Sequence, residues 1–285
     1  MPAPVLAVLN LKGGVGKTTL AVNVGREIFQ SRGKKVLLID LDPQYNLSQQ
    51  LLPRNEYDAL IDQSKSVMRL FEPAPSSDFF DINTSSIAPP SPSTVARALR
   101  YITNSPTTTI SVIVGTFELT KYSFINEDAK LTHAKNYFRH AISLARAEYD
   151  LIIIDMNPSS SFLTFCGLSV ATDILSPVRP DKFSVQGLDL VKRLIDHPLV
   201  QPKPNLHIVM NGVTRHGGLT DTEQDIRQAD FFKDRILVNK VYTSGVLAAR
   251  PDFTGFAKDR KVSNKNAVAT ALRAVGTELC GRMGI

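Results

Sequence analysis

Cysteine is nearly absent from this chain. Its 285 residues include only Cys166 and Cys280, in no C-x-x-C spacing. That leaves no disulfide framework and no zinc site, and points to two reduced thiols. Long apolar runs are missing as well: no stretch approaches the ~18 residues of a membrane-spanning helix. The N-terminus, Met1-Pro2-Ala3-Pro4, lacks the charge pattern of a signal peptide and leads at once into an apolar run. A cytoplasmic protein is expected. With 43% hydrophobic and 21% charged residues, the composition suits one large globular domain over 1–285, interrupted by an insertion.

Excess positive charge is missing everywhere but at one end. Residues 235–285 carry nine Lys/Arg against three Asp/Glu, so the whole formal excess of +6 lies in this basic C-terminal region. Such asymmetry favours a polyanionic partner, nucleic acid or an anionic membrane, over a merely solvated basic face.

Strand-like and helix-like patterns alternate along most of the chain, the mark of an α/β fold with a doubly wound, mostly parallel sheet and helices on both faces. Strands are expected at 5–10, 35–40, 109–114, 151–155, 173–178 and 206–211, with a further one at 235–241. Helices are expected at 17–31, 94–104, 129–147, 184–196, 221–233 and 264–282. Parallel strands buried on both faces read as continuous Ile/Val/Leu runs, and these do. One stretch breaks the rhythm. Residues 73–94 hold five prolines, six serines and two threonines, and Ser105-Pro106-Thr107-Thr108-Thr109 resembles them. An exposed Pro/Ser/Thr-rich insertion is expected at about 73–109.

Residues 12 to 19 read Lys12-Gly13-Gly14-Val15-Gly16-Lys17-Thr18-Thr19, after the apolar run Val5–Leu9. A strand emptying into a glycine-rich loop and then a helix cradles phosphates with backbone N–H groups and the helix N-terminus. Lys17 is expected on the β/γ-phosphates of ATP and the Thr18 hydroxyl on Mg²⁺. The ordinary pattern G-x-x-x-x-G-K-[ST] requires glycine at position 11, where Leu11 stands, and a second lysine, Lys12, opens the loop instead. This is the deviant form of the P-loop. Lys12 could fold onto its own nucleotide or cross to that of a facing subunit.

Two acidic signals accompany the loop. Asp40-Leu41-Asp42-Pro43-Gln44 closes the second strand, and in open α/β sheets ligands gather at the carboxyl ends of strands. Asp42 is placed to orient an attacking water, with Asp40 nearer the metal. Leu151-Ile152-Ile153-Ile154-Asp155 places a third carboxylate at a strand end, the position that normally holds Mg²⁺ through water. Asn211, ending a late strand, is either an adenine contact or a structural turn residue.

In their order, the loop with Lys12, the Asp40–Gln44 segment, Asp155 with Pro158-Ser159, and Pro177-Val178-Arg179-Pro180 followed by Gln186-Gly187-Leu188 resemble ParA-type partition ATPases. The resemblance runs from residue 4 to about 275 and is strongest in 8–47 and 149–190. It implies an ATP-sandwich homodimer, with Lys12 acting across the interface and Asp42 needed for hydrolysis. It also implies non-specific DNA binding in the ATP state and release when a ParB-like or other adaptor protein stimulates hydrolysis. A nucleoid-associated protein that segregates a plasmid, a chromosome or other cargo follows. The DNA-binding candidates are Arg250, Lys258, Arg260, Lys261, Lys265 and Arg273.

Several positions depart from the family pattern. Asn157 stands where proline is usual and Tyr45 where glycine is common. The Pro-Arg-Asn stretch expected near Val241–Ser244 is missing, and with the loop opening at residue 12 no helix-turn-helix extension is expected. The wider group supplies other readings. A MinD-like membrane-associated positioning ATPase needs a terminal helix with bulky apolar residues opposite Lys/Arg, whereas residues 267–276 are alanine-rich without Phe or Trp. A nitrogenase-like iron protein needs two cysteines near a dimer axis. A ligase of the dethiobiotin synthetase type needs a substrate site that no further motif supplies.

Overall fold

In the computed structural model, residues 2–76, 78–157, 159, 161–181, 184–215, 218–248 and 255–285 are described. Eight strands form one sheet: β1 (Val5–Val8), β2 (Val36–Leu41), β3 (Arg97–Ile102), β4 (Ser105–Ile113), β5 (Leu151–Met156), β6 (Asp173–Val178), β7 (Asn205–Val213) and β8 (Val241–Tyr242). Their spatial order is β3-β4-β2-β5-β1-β6-β7-β8. Every pairing is parallel except the antiparallel edge pair β3–β4. The doubly wound, mostly parallel α/β fold is therefore as the alternating patterns indicate.

The continuous apolar runs sort themselves by the two-residue period of a strand. Leu6, Val8, Val36, Leu38, Leu151 and Ile153 point to one face. Ala7, Leu37, Ile39, Ile152 and Ile154 point to the other. On the first face lie α1 (Lys17–Arg32), α2 (Asn46–Leu51), α3 (Arg54–Asp62) and α9 (Lys265–Met283). On the second lie α5 (Asp128–Glu148), α6 (Phe162–Leu168), α7 (Ser184–Asp196) and α8 (Asp221–Gln228). The short α4 (Pro92–Val95) leads into β3. Gly276 is where α9 meets α1: a Cβ there would stand 3.0 Å from Ile28.

Three expectations are corrected. The helix expected over 94–104 is instead α4 and the edge strand β3. Val95, Leu99 and Ile102 mimic helical spacing, but Thr103-Asn104 turns the chain so that Ile102 pairs with Ser105. The same hairpin makes Ser105–Thr109 the first half of β4 rather than irregular chain. No continuous strand runs over 235–241. Ile236 makes a single bridge to Ile208, and the N–H groups of Val238 and Asn239 donate to the Glu278 carboxylate at 2.9 and 3.0 Å, taking amides a strand would use.

Residues 73–91 contain no helix or strand among the described residues, yet they are tied down. Glu72, fully buried, accepts from the backbone N–H of Asn83 at 2.9 Å and of Ser76 at 3.3 Å. Its carboxylate is held by Lys121 at 2.7 Å and by the Tyr122 hydroxyl at 2.8 Å. The insertion is an anchored excursion over the β4 side of the sheet.

Candidate functional site

The glycine-rich loop lies between β1 and α1, at the carboxyl end of the central strand. Its turn needs glycine at two positions: Gly14 has φ 73° and Gly16 φ 94°. At Gly16 a Cβ would also stand 2.3 Å from the Asn211 amide nitrogen. That amide donates to the Val15 carbonyl at 2.7 Å. Asn211 thus braces the loop from β7, two strands away from β1.

Parallel register brings the carboxylates together. Asp155 is paired with Val8 on one side and with Asp40 on the other. Both Asp155 carboxylate oxygens are buried and neither makes a hydrogen bond of full geometry, though the Thr18 side chain lies close enough to act on them. Burial pushes its pKa well above the ordinary carboxylate range, with the Asp40 carboxylate adding to the push; Thr18 and Lys17 draw it down. Burial lowers the pKa of Lys17, and the Asp155 and Asp42 carboxylates pull it back up. A buried carboxylate without a full hydrogen bond, under the influence of a buried ammonium, is a site short of a cation.

Asp40 is differently placed. Its Oδ2 accepts from both the N–H and the hydroxyl of Ser48, at 2.9 and 2.6 Å. Burial raises its pKa to about 7, against the pull of the two Ser48 bonds. Its carboxylate thereby ties β2 to α2. Among the described residues no three His, Cys, Asp or Glu side chains group as a metal-holding cluster. A Mg²⁺ ion needs none, since it takes one or two carboxylates and completes its shell with substrate phosphates and water.

Asp42 ends the same segment, and its Oδ1 accepts from the Gln44 N–H at 2.9 Å and from the Asn157 amide at 3.2 Å. Lys12 forms an ion pair with Asp181 at 2.5 Å, and its carbonyl accepts from Lys17 at 3.3 Å. Lys12, Gly13–Thr19, Asp42, Asp155 and Asn211 are therefore gathered at the carboxyl ends of β1, β2, β5 and β7, with Asp40 level with Asp155 and bonded to Ser48.

Sequence reasoning missed Asn10. This fully buried side chain accepts from the Lys12 N–H at 2.9 Å and donates to the Pro177 carbonyl at 2.8 Å, locking the loop to the end of β6. A Cβ on Gly187 would stand 2.8 Å from the Asn10 oxygen, which explains the glycine in the Gln186-Gly187-Leu188 motif. The signal was a polar residue closing an apolar strand just before the loop. A cleft of about 360 Å³ opens beside β8, lined by Arg215, Tyr242, Thr243, Ser244, Asn264 and Ala271. It occupies the region where the Pro-Arg-Asn stretch was missed.

The basic candidates divide. Arg250 lies outside the described residues. Arg273 is exposed and pairs with Glu27 at 3.2 Å, and the Arg260 guanidinium donates to the carbonyls of Val246 and Ala248. Lys258 bonds Asn266. Lys261 and Lys265 make no ion pair among the described residues, and Lys261 is exposed. Elsewhere in the basic region Lys240 and Arg282 are paired with Glu223 and Glu278.

Fold and loop together define a P-loop nucleoside-triphosphatase-like α/β protein. The family model AAA_31, an AAA domain, matches residues 3–208. The chain belongs to that family, and within it to the ParA-type partition ATPases. It is 29% identical over 240 residues to the chromosome-partitioning ATPase Soj of Treponema pallidum, covering 81% of this chain and 79% of the relative. Its structure is similar to pNOB8 ParA bound to nonspecific DNA, with TM-score 0.66, 18% identity and 99% of each chain covered. It is also similar to cobyrinic acid a,c-diamide synthase of Mycobacterium smegmatis with bound ATP analogue and magnesium, with TM-score 0.68, 22% identity, and 99% and 95% of the two chains covered. At these identities the solved structures speak to fold alone. Among the described residues no helix is long and apolar enough to cross a membrane.

Proposed function

We propose that this protein is an ATP-hydrolysing partition or positioning ATPase that cycles on and off DNA. The carrying observation is the buried carboxylate of Asp155, without a full hydrogen bond, beside Lys17 at the mouth of a P-loop that opens with Lys12. That arrangement fits ATP with Mg²⁺. Gly13–Thr19 would wrap the phosphates with backbone N–H groups, Lys17 would neutralise the β/γ-phosphates, and Thr18 and Asp155 would hold the metal. The metal supplies neutralisation of charge on the phosphate oxygens. Asp42, steered by Asn157 and Gln44, would orient the attacking water. The cleft beside β8 would receive the base.

Lys12 is the residue through which a homodimer would act. In the single chain it is held by Asp181, and reaching a facing nucleotide means exchanging that carboxylate for a phosphate. Lys258, Arg260, Lys261 and Lys265 cluster just before and at the start of α9, and would meet DNA phosphates, with Arg250 nearby in sequence. A ParB-like or other adaptor would stimulate hydrolysis and release, giving a nucleoid-associated protein that moves cargo. The family placement and the DNA-bound relative support this reading. The membrane alternative loses its anchor, because Val268, Leu272, Val275 and Leu279 of α9 are buried on its own domain against α1.

The deciding experiment is retention on non-specific duplex DNA with ATP, with ADP and without nucleotide, using Asp42→Ala to slow hydrolysis. Salt-sensitive retention with ATP alone is expected. ATP turnover with no retention in any state would sink the DNA reading and favour a metabolic ligase.

A further inference from the structure

Four phenylalanines stand out on the β4 side of the molecule. Phe80, Phe117 and Phe124 are 69%, 57% and 52% exposed. Phe79 lies against Phe117 with ring centroids 6.4 Å apart, and Phe80 against Phe124 at 6.0 Å. Exposed apolar residues scattered singly need no explanation, but an exposed face carrying two ring pairs does. This one is built from two separate segments, the insertion and the 3-10 turn Phe117–Ser123 after β4. Both are fastened from beneath by the buried Glu72–Lys121–Tyr122 cluster, so the face is held in place rather than thrown up by a loose loop.

The rim has one sign of charge. Residues 76–81 and 117–130 contain five carboxylates, Asp78, Asp81, Glu118, Glu127 and Asp128, and two lysines. Lys121 is buried on Glu72, and Lys130 is shared by Asp81 at 3.0 Å and Glu127 at 2.7 Å. Asp78, Glu118 and Asp128 are exposed and make no ion pair among the described residues. Beside the rings a cleft of about 260 Å³ is lined by Ile61, Met68, Pro75, Phe79 and Glu118, room for one apolar side chain.

We propose that this face is a docking surface for a basic peptide segment of a partner protein. Its lysines and arginines would rest on the Asp78/Glu118/Asp128 rim and an apolar side chain would enter among the phenylalanines. Charge complementarity chooses this occupant. A second copy of the chain would bring its own carboxylates against these, and like charges facing across an interface are repelled. DNA and anionic lipid are excluded on the same ground.

The surface is wired to the nucleotide site. Two residues before Phe117, Gly115 donates its N–H to the Ser48 hydroxyl at 2.9 Å, and that hydroxyl donates to Asp40 at 2.6 Å. A Cβ on Gly115 would stand 2.8 Å from the Asp40 carboxyl carbon, so the turn is packed directly against the end of β2. Docking is thereby felt two residues from Asp42.

The test needs no nucleotide and so stands or falls apart from the ATPase reading. A display library of random peptides is selected on the full chain, and an enriched sequence is synthesised with a fluorescent label for anisotropy titration. The expected winners join Lys/Arg to an aromatic or aliphatic residue and bind more weakly as salt rises. Phe80→Ser with Phe117→Ser, and separately Asp78→Lys with Glu118→Lys, should each weaken binding about tenfold or more, as central anchor residues do. All four positions are exposed, and unchanged melting curves show the variants folded. No enrichment, neutral or acidic winners, or equal binding by both variants would overturn the proposal. So would a self-association of the wild-type chain that the Phe80→Ser/Phe117→Ser exchange abolishes.

Discussion

Asp42 and Asn157 are 115 residues apart in sequence and joined by one hydrogen bond of 3.2 Å. The bond fixes the carboxylate proposed to orient water, so its loss acts on turnover more than on nucleotide affinity. A hydrogen bond to a charged group is worth ~1.5–3 kcal/mol. Asn157→Ala should therefore lower kcat for ATP by about tenfold or more while leaving KM within about twofold. Steady-state kinetics separates the two, and a rise in KM at constant kcat would show that Asn157 serves binding instead. At this scale the structure places the P-loop, Asp42 and Asp155 at neighbouring strand ends, where the sequence pattern put them. Asn157 appeared in the sequence only as a departure from proline. What it does depends on β2 and β5 lying side by side, with Asp40 registered on Asp155, and no local pattern encodes that. Asn10 was hidden for the same reason: its partners are the Lys12 N–H and, on the adjacent strand β6, the Pro177 carbonyl and the Ser176 hydroxyl.

The elements built from buried parallel strands were readable because a strand covered on both faces leaves no room for polar residues. β6 and α7 begin and end where the pattern put them. The insertion was not readable, since its order comes from one buried ion pair rather than from propensity. Lys121 and Glu72 are 1% and 0% exposed. Removing one partner leaves the other charged and buried, which typically costs ~3–5 kcal/mol. Glu72→Ala should destabilise the protein by that order in urea unfolding and should make the 73–91 segment the first site of limited proteolysis. Replacing the pair by Glu72→Leu with Lys121→Met should recover most of the stability, since an apolar pair of similar volume is often neutral. If Glu72→Ala costs under about 1 kcal/mol, the range of a surface pair, the cluster is not what orders the insertion.

For the whole molecule, what matters is how charge is divided between structure and partner. Arg26, Glu27, Asp259, Arg100 and Arg273 form one chain of ion pairs that straps α1, β3, α9 and the turn Ala257–Asp259 together. Arg273 therefore already has a structural task, and its reversal would disturb the α1–α9 contact as well as any DNA contact. Lys261 and Lys265 carry no such obligation, which makes them the cleaner probe of the basic region. Lys261→Glu with Lys265→Glu should leave ATP binding and the melting temperature unchanged while weakening DNA retention equally across sequences. If each lysine neutralises one phosphate, the slope of log affinity against log salt should shrink by ~0.9 per contact, about two in all. An unchanged slope would mean the excess charge of this region serves the fold and the solvent, and that DNA, if it binds, meets another face.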